Sequence, residues 1–276
     1  MARVTGLEHL TLLSVAPPDL VTIAARAGFD SVGLRVSPAT DEERPWPMAP
    51  GSAMLADTVR RCADTGVTVL DAEAVRLGPR LGPGLGPRLG SGRTDFTPFL
   101  DAAAELGARY VNAICEDPDL GRLTEEFARL VADARGYGIR PVVEFMAYRS
   151  VHTLAAATAV AAKSGGGGIL VDALHVQRCG VGLDALRALD PGLVGYVQLC
   201  DAPLAAPADQ VAEARSARLL PGDGALPIAG LLAALPDGVP VSVEAPRAGA
   251  ADQPAAFATR ARRALESVLT QSKERP

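Results

Sequence analysis

The sequence predicts an α/β protein of the (β/α)₈ class, a single-domain TIM barrel that spans residues 1–276. Three observations favour this fold. The chain has 276 residues, close to the roughly 250 that are typical of such a barrel. Short apolar runs alternate with longer Ala-rich amphipathic runs, as expected of strands that are each followed by a helix. Eight strand and helix pairs can be counted along the chain, and eight is the number that closes a barrel.

The predicted strands are short runs rich in Val, Ile and Leu. They cover residues 8–15, 31–36, 68–77, 110–116, 140–146, 168–175, 193–200 and 240–246. The predicted helices have apolar residues at helical spacing. They cover about 18–28, 52–65, 97–107, 120–136, 151–163, 183–188, 227–234 and 253–271. A doubly wound open sheet is the alternative architecture.

Two connections are long for a compact domain. Residues 78–93 form a Leu-Gly-Pro tract, GPRLGPGLGPRLGSGR, which cannot be regular helix or strand. This tract predicts a flexible loop, either a low-complexity insertion or a lid over the active-site face. The second connection, residues 201–227, is richer in polar and charged residues, which favours a functional loop.

Charge and composition exclude several classes of partner. The net charge of -5 gives no basic surface for nucleic acid or an anionic membrane. No run reaches about 18 uninterrupted apolar residues, and the first residues lack a signal peptide's apolar segment. Cys62, Cys115, Cys179 and Cys200 have no CxxC spacing, which favours free thiols in a reducing cytoplasm. The expected partner is a small-molecule substrate, and a homodimer stays open.

Each of the last four predicted strands runs into an oxygen-bearing side chain. Glu144 follows PVV, Asp172 follows ILV, Gln198 follows GYV and Glu244 follows VSV. The carboxyl ends of barrel strands share one rim, where three carboxylates would repel one another unless a cation lies among them. The sequence therefore predicts one divalent metal on these four residues, with Mn²⁺ expected and Mg²⁺ or Co²⁺ as alternatives. For any single acid, a helix cap or a salt bridge is the alternative role.

Histidine is sparse in this sequence. His175 lies three residues after Asp172, where a neutral imidazole can donate to a substrate carbonyl or act as a general acid. A structural hydrogen bond to a neighbouring loop is the alternative. His152 is expected on the surface, and His9 is expected near the start of strand one, away from the catalytic rim.

Several further charged residues are predicted to face the barrel mouth. Arg218 precedes LLPGDG and can hold a substrate carboxylate or phosphate with its planar fork. Glu73 is predicted to bind substrate. Arg35, near the end of the second predicted strand, and Arg76, on the third predicted strand with Glu73, are also expected to face the mouth. Arg178 is expected to bridge the metal-site acids. A salt bridge within the barrel is the alternative for each.

The strings VEFM, VDALHVQR, VQLCD, RLLPGDG and VSVEAP resemble the xylose isomerase-like TIM barrel superfamily, the sugar phosphate isomerase and epimerase group. The resemblance covers residues 140–246 by motif and the first half only by architecture. It implies that Glu144, Asp172, Gln198 and Glu244 bind the metal and that His175 contacts a substrate oxygen. The ketose epimerases of this group have His where Gln198 stands, whereas hydroxypyruvate isomerase-like and dehydratase-like members are similar to this chain there.

These features predict a divalent-metal-dependent isomerase or epimerase of a small sugar or hydroxy-carbonyl substrate. Glu144 and Glu244 are the expected base and acid for moving a proton through a metal-stabilised enediolate, with His175 as the third catalytic residue. One alternative is a metal-dependent dehydratase of a cyclic hydroxy-ketone, such as a 3-dehydroshikimate-like or inosose-like compound. The other is a non-catalytic barrel that binds a sugar, because a fold alone does not establish an activity.

Overall fold

The structure is a computed structural model that describes residues 3–78 and 94–274. Eight parallel strands follow one another around a closed barrel, and β1 pairs with β8 to complete it. The predicted (β/α)₈ barrel is therefore confirmed. The strands are β1 Thr5–Leu7, β2 Ser31–Arg35, β3 Thr68–Leu77, β4 Tyr110–Cys115, β5 Arg140–Glu144, β6 Gly168–Asp172, β7 Val194–Leu199 and β8 Val241–Val243. Of the predicted flexible loop at 78–93, residues 79–93 lie outside the described residues.

Helices cover the outside of the barrel. Several begin at a side chain that accepts a backbone N–H, as Ser52, Asp119 and Thr153 do. The first helix ends at Gly28, whose φ of 89° favours glycine. The helices of the described residues are α1 Pro17–Ala27, α2 Ala53–Thr65, α3 Thr97–Glu105, α4 Leu120–Ala134, α5 Leu154–Lys163, α6 Ala173–Arg178, α7 Leu183–Arg187, α8 Gln210–Ser216, α9 Ile228–Ala234 and α10 Pro254–Glu274.

The start of the chain differs from the prediction. The strand expected at 8–15 is wrong, because β1 is the preceding Thr5–Leu7 and residues His9–Leu12 form a 3₁₀ helix. A three-residue strand is too short to show the alternation by which strands are recognised. As a result His9 follows the carboxyl end of β1, at the end of the barrel that carries the predicted site, and its predicted position was wrong.

His9 connects the first two strands through its ring. Its Nδ1 accepts the backbone N–H of Arg35 at 3.0 Å, and its Nε2 donates to the Val15 carbonyl at 2.8 Å. These two bonds require one nitrogen with a proton and one without. Burial lowers the pKa of His9 to about 4. The ring is therefore neutral and fixed in one tautomer.

Two other predicted segments have a different secondary structure from the one expected. Residues 173–175, expected in the sixth strand, form the first turn of α6, because Asp172 caps that helix. The connection at 201–227 contains α8, which was expected to be loop.

Alternation along the last four strands separates two cores. The outward-facing residues pack with the helices in the main core, and they are Val143, Val171, Val197 and Val243. The inward-facing residues one position earlier on β5, β6 and β7 are Val142, Leu170 and Tyr196, and together with Leu70 of β3 and Tyr110 of β4 they form an apolar floor inside the barrel. Because successive side chains of a strand alternate between faces, the residue after each outward valine points into the barrel above this floor.

No helix among the described residues is long and apolar enough to cross a membrane. The four cysteines are free. Cys115 and Cys200 are fully buried, as expected of thiols beside apolar strands, whereas Cys179 is half-buried.

Candidate functional site

The structure brings the four predicted oxygen donors together. Glu144 ends β5, Asp172 ends β6, Gln198 lies one residue before the end of β7, and Glu244 directly follows β8. Each of these four residues is at most 5% exposed. Asp172 is the register partner of Gln198, and Gln198 is the partner of Ser242 two residues before Glu244. Neighbouring strands thus present these groups to one end of the barrel.

Asp172 uses its two oxygens for different purposes. Oδ1 accepts the backbone N–H groups of Leu174 at 2.7 Å and His175 at 3.2 Å, which starts α6. Oδ2 lies 2.5 Å from Nη1 of Arg218. Burial favours a higher pKa for Asp172, but the charge of Arg218 together with the interactions of His175 and the hydrogen bonds from both residues holds the pKa below its ordinary value. Asp172 therefore keeps its negative charge.

Glu144 is oriented by two neighbours. The side-chain amide of Asn112 donates to Oε2 at 3.0 Å, and Nε2 of His175 lies 3.6 Å from Oε1. Burial raises the pKa of Glu144 well above its ordinary value, and the charges of Glu244 and Asp172 raise it further. Of the two oxygens, Oε1 is the one that the amide leaves free.

His175 lies on the first turn of α6, beside the donors. One ligand atom of His175, one of Glu144 and one of Asp172 all lie within 4.8 Å of one another. Burial lowers the pKa of His175 to about 4 although the charge of Asp172 opposes the shift. Tyr148 meets the ring edge-on at 5.7 Å between centroids. The structure thus holds a neutral imidazole at the position that the sequence predicted.

Arg218 bridges two of the four donors. Its Nη1 contacts Asp172, and its Nη2 lies 3.0 Å from Oε2 of Glu244. Its Nε donates to the Ala214 carbonyl at 2.8 Å, which fixes the guanidinium plane. Burial raises the pKa of Glu244 to about 8 although Arg218 opposes the shift, because Glu73 and Asp172 add negative charge. One guanidinium does not neutralise this group of acids.

The side-chain amide of Gln198 lies among the acids of the site. Its Nε2 lies 3.4 Å from Glu73 Oε1 and 3.4 Å from Glu244 Oε1. Its Oε1 is buried without a hydrogen-bond partner among the described residues, a state that costs roughly 1–3 kcal/mol. Three carboxylates and one amide oxygen suit a hard or borderline divalent ion. Glu144, Asp172, Gln198 and Glu244 could therefore hold such an ion.

A cavity of about 180 Å³ opens above these residues. Its volume is below the roughly 300–1,000 Å³ that drug-sized ligands occupy, which favours a small molecule. Its polar wall includes Glu144, Glu244, His175 and Arg218. Its lining also includes apolar side chains, among them Ile114, Met146 and Tyr148. Asp172 and Gln198 are 0% exposed beneath it.

Two of the three further residues expected at the barrel mouth lie there. Glu73 and Arg35 line the cavity, and Nη1 of Arg35 lies 3.1 Å from Glu73 Oε2. Arg76 instead forms ion pairs with Asp41 at 2.6 Å and Glu116 at 3.1 Å. The structure thus gives Arg76 the salt-bridge role that was its alternative.

The predicted bridge from Arg178 to the metal-site acids was wrong. Arg178 pairs with Glu213 at 2.7 Å and donates to the carbonyls of Pro203 and Leu204. Arg218 forms the bridge instead. Sequence patterns rank such arginines poorly, because their long side chains reach many partners and the connection that carries Arg218 has no regular period.

Sequence reasoning also missed residues that the structure places at the site. Asn112 interrupts an otherwise apolar run in β4, a signal that could have revealed it. Tyr148 and Met146 line the cavity from the segment after β5. The segments around Glu8 and Asp71 mix polar and apolar residues. Nothing in the sequence therefore indicated that these two acids are buried inside the barrel.

Comparisons with known proteins agree with this architecture. A family model described as the xylose isomerase-like TIM barrel matches residues 21–268. No curated protein sequence matches the chain significantly. A xylose isomerase-like TIM barrel/4-hydroxyphenylpyruvate dioxygenase fusion protein has a TM-score of 0.80 at 22% identity. The similarity covers 99% of this chain and 44% of the fusion protein, so the chain spans less than half of that protein's length.

Two other solved structures match along nearly their whole length. The IOLI protein, solved with a bound zinc atom, has a TM-score of 0.74 at 17% identity, covering 98% of this chain and 99% of that chain. A D-psicose 3-epimerase from Clostridium cellulolyticum H10, solved with D-tagatose, has a TM-score of 0.68 at 13% identity, covering 98% and 99%. At such identities these likenesses support the fold. Because the family model matches most of its length, the chain belongs to the xylose isomerase-like TIM barrel family.

Proposed function

We propose that this chain is a divalent-metal-dependent enzyme that moves a proton beside the carbonyl of a small sugar or hydroxy-carbonyl compound. The observation that carries the proposal is the placement of two glutamates. Glu144 and Glu244 line one cavity from β5 and from the end of β8, on either side of β6 and β7. The reaction is isomerisation or epimerisation, according to where the proton returns.

The metal is proposed from the chemistry of the donors. Glu144, Asp172, Gln198 and Glu244 would hold it, with Mn²⁺ as the proposed ion and Mg²⁺ or Co²⁺ as alternatives. When bound, such an ion supplies Lewis-acid polarisation of a substrate carbonyl. The zinc atom in the IOLI structure supports a divalent ion at a barrel of this fold.

The side chains divide the work of proton transfer. Asn112 holds Oε2 of Glu144, which leaves Oε1 to take the substrate proton. Glu244 approaches from the other side of the donor set and returns a proton there. Neutral His175 donates to a substrate oxygen, and Arg218 and Glu73, which also line the cavity, contact the substrate. The apolar wall excludes water from the carbon that loses its proton.

A second candidate is dehydration of a cyclic hydroxy-ketone. Gln198 in place of histidine and the wall of Ile114, Met146 and Tyr148 favour it, because a ring presents an apolar face to such a wall. The same two glutamates would remove the proton and protonate a departing hydroxyl.

The test uses Mn²⁺-loaded protein in D₂O with ketohexoses, hydroxypyruvate and 3-dehydroshikimate as separate substrates. Deuterium at the carbon beside the carbonyl, followed by NMR, is expected for isomerisation or epimerisation. An ultraviolet-absorbing product instead selects dehydration. Glu144→Gln and Glu244→Gln should each abolish turnover with the fold retained by circular dichroism. Full turnover in both variants would refute the assignment, and ligand binding without any turnover would favour the non-catalytic sugar-binding barrel.

A further inference from the structure

A second group of acids lies inside the barrel on the side of β1 to β3. Glu8 directly follows β1, and Asp71 and Glu73 lie on β3. One carboxylate oxygen of each lies within 4.8 Å of the other two. The three residues are at most 1% exposed. We call this group the inner acid cluster.

The chain makes room for the inner acid cluster at Gly33. A Cβ atom at this position of β2 would collide with Oε2 of Glu8 and would lie 2.6 Å from Oδ1 of Asp71. The two carboxylates therefore converge over the α-carbon of Gly33 from neighbouring strands. A residue larger than glycine at position 33 would occupy the space that these two carboxylates fill.

The oxygens of the cluster lack ordinary partners. No oxygen of Glu8 or Asp71 makes a hydrogen bond of ordinary geometry with a described residue, and the polar groups that face them are those of Ser242 and Tyr196. A buried carboxylate normally accepts several hydrogen bonds or pairs with a cation. Glu73 contacts Arg35 through Oε2 at 3.1 Å, whereas Glu8 and Asp71 have no such ion pair among the described residues.

A side chain outside the cluster also points to a ligand there. Tyr196 rises from the apolar floor and is 0% exposed, and its hydroxyl faces Asp71 without making a hydrogen bond of ordinary geometry with any described residue. Burial raises the pKa of Tyr196, and the charges of Asp71, Glu8 and Glu73 raise it further, since its hydroxyl faces these acids. A phenol oxygen completes an all-oxygen set of four donors.

The balance of charge in the barrel leads to the same conclusion. Among the described residues, six acids at most 5% exposed face the inside of this end of the barrel, namely Glu8, Asp71, Glu73, Glu144, Asp172 and Glu244. Two guanidinium groups, those of Arg35 and Arg218, pair with them. When all six acids are ionised, the excess is four negative charges, and one divalent ion at the first site leaves two. A second divalent ion balances these.

We propose that Glu8, Asp71 and Glu73, together with the Tyr196 hydroxyl, form a second cation site that takes a hard divalent ion such as Mn²⁺ or Mg²⁺. Carboxylate oxygens are among the donors that these ions prefer, and the Tyr196 hydroxyl adds a fourth oxygen. The site uses none of the four donors Glu144, Asp172, Gln198 and Glu244, although it adjoins them, because Gln198 Nε2 lies 3.4 Å from Glu73 Oε1. Its ion would neutralise the buried charge beside the first site.

The test counts Mn²⁺ ions per chain in metal-stripped protein by equilibrium dialysis and elemental analysis. We expect two ions in the wild type, and one each in Glu8→Gln and in Asp172→Asn. Glu8→Gln should keep the first site, and Asp172→Asn should keep the second. If the wild type binds a single ion, the counts of the two variants therefore show which of the two sites holds it.

Tyr196→Phe keeps the ring and removes only the hydroxyl, so it serves if Glu8→Gln does not fold. It should weaken binding of the second ion roughly tenfold or more, by analogy with other losses at metal sites. Tyr110→Phe, in the same apolar floor with ring centroids 5.2 Å apart, is the matched control and should bind both ions as the wild type does. A wild type that binds one ion, or two ions with unchanged affinity in Tyr196→Phe and Glu8→Gln, would overturn the proposal and leave protons as the neutralising species.

Discussion

Nη1 of Arg218 lies 2.5 Å from Oδ2 of Asp172, and both side chains are at most 2% exposed. The other oxygen of Asp172 caps a helix, so Oδ2 is the atom that an incoming cation would have to share with the guanidinium. Arg218 also reaches Glu244 at 3.0 Å. The positive charge of Arg218 thus lies between two predicted metal ligands, Asp172 and Glu244.

Replacing Arg218 with Met should destabilise the metal-free protein. The change leaves Asp172 and Glu244 buried without their cation, which costs on the order of 3–5 kcal/mol. Mn²⁺ should then stabilise the variant more than it stabilises the wild type, because the ion replaces the lost charge. Urea unfolding with EDTA and with Mn²⁺ measures both effects.

The matched control for Arg218 is Arg187→Met, since Arg187 pairs with the exposed Asp184. Exposed ion pairs contribute little, so no measurable change is expected. Equal stabilities of Arg218→Met and the wild type in EDTA would contradict the bridging role.

Replacing Gln198 with His should change the preferred metal. An imidazole is a better ligand for Zn²⁺ than an amide oxygen is, whereas amide and carboxylate oxygens suit Mn²⁺. We expect the ratio of bound Zn²⁺ to bound Mn²⁺ to rise at least several-fold when the protein is dialysed against both ions. Gln198→Glu, which keeps an oxygen donor, is the control and should not raise the ratio. An unchanged ratio in Gln198→His would exclude residue 198 as a ligand.

The stability of the metal-free protein should depend on pH through Glu244. Its pKa is raised from 4.5 to about 8 in the folded state, so between these values the folded state keeps a proton that the unfolded state has lost. Stability then falls as pH rises, by up to about 1.4 kcal/mol per pH unit from this group. The difference between the wild type and Glu244→Gln, measured by urea unfolding in EDTA from pH 5 to pH 8, isolates the effect. The free energy of unfolding of the wild type minus that of Glu244→Gln should fall as pH rises. A value that stays constant or rises would contradict the prediction.

Replacing Gly33 with Ala should destabilise the fold. The added methyl group meets the carboxylates of Glu8 and Asp71, and overpacking of this kind costs about 1–3 kcal/mol. Gly182→Ala is the control, because a Cβ there meets nothing within 4 Å. The double variant Gly33→Ala, Glu8→Ala should recover part of the loss. Unfolding free energies that do not distinguish Gly33→Ala from the control would show that Glu8 lies elsewhere.

The strands and the four donors could be predicted because each donor follows a simple alternation. In ILVD, for example, Leu170 packs on the floor, Val171 packs on the helices, and Asp172 must point inward again. This pattern depends only on neighbours in the sequence.

The contacts that depend on distant residues could not be predicted in this way. The bridge of Arg218 to Asp172 spans 46 positions, and no period connects them. Strand β1 has three residues, so the longer apolar run after it was mistaken for the strand. Glu8 and Asp71 were missed because burial of an acid contradicts the ordinary preference of its type.

The divided use of the Asp172 carboxylate determines how variants of this residue should be interpreted. Alanine at 172 removes the acceptor that starts α6 together with the oxygen that faces Arg218, so His175 should shift at the same time and a loss of function would have two causes. Asparagine retains an oxygen that can start the helix and replaces the other with an amide nitrogen that cannot bind a cation. In any redesign of this barrel, the carboxylate at 172 and the imidazole at 175 are therefore a single unit and should be exchanged together.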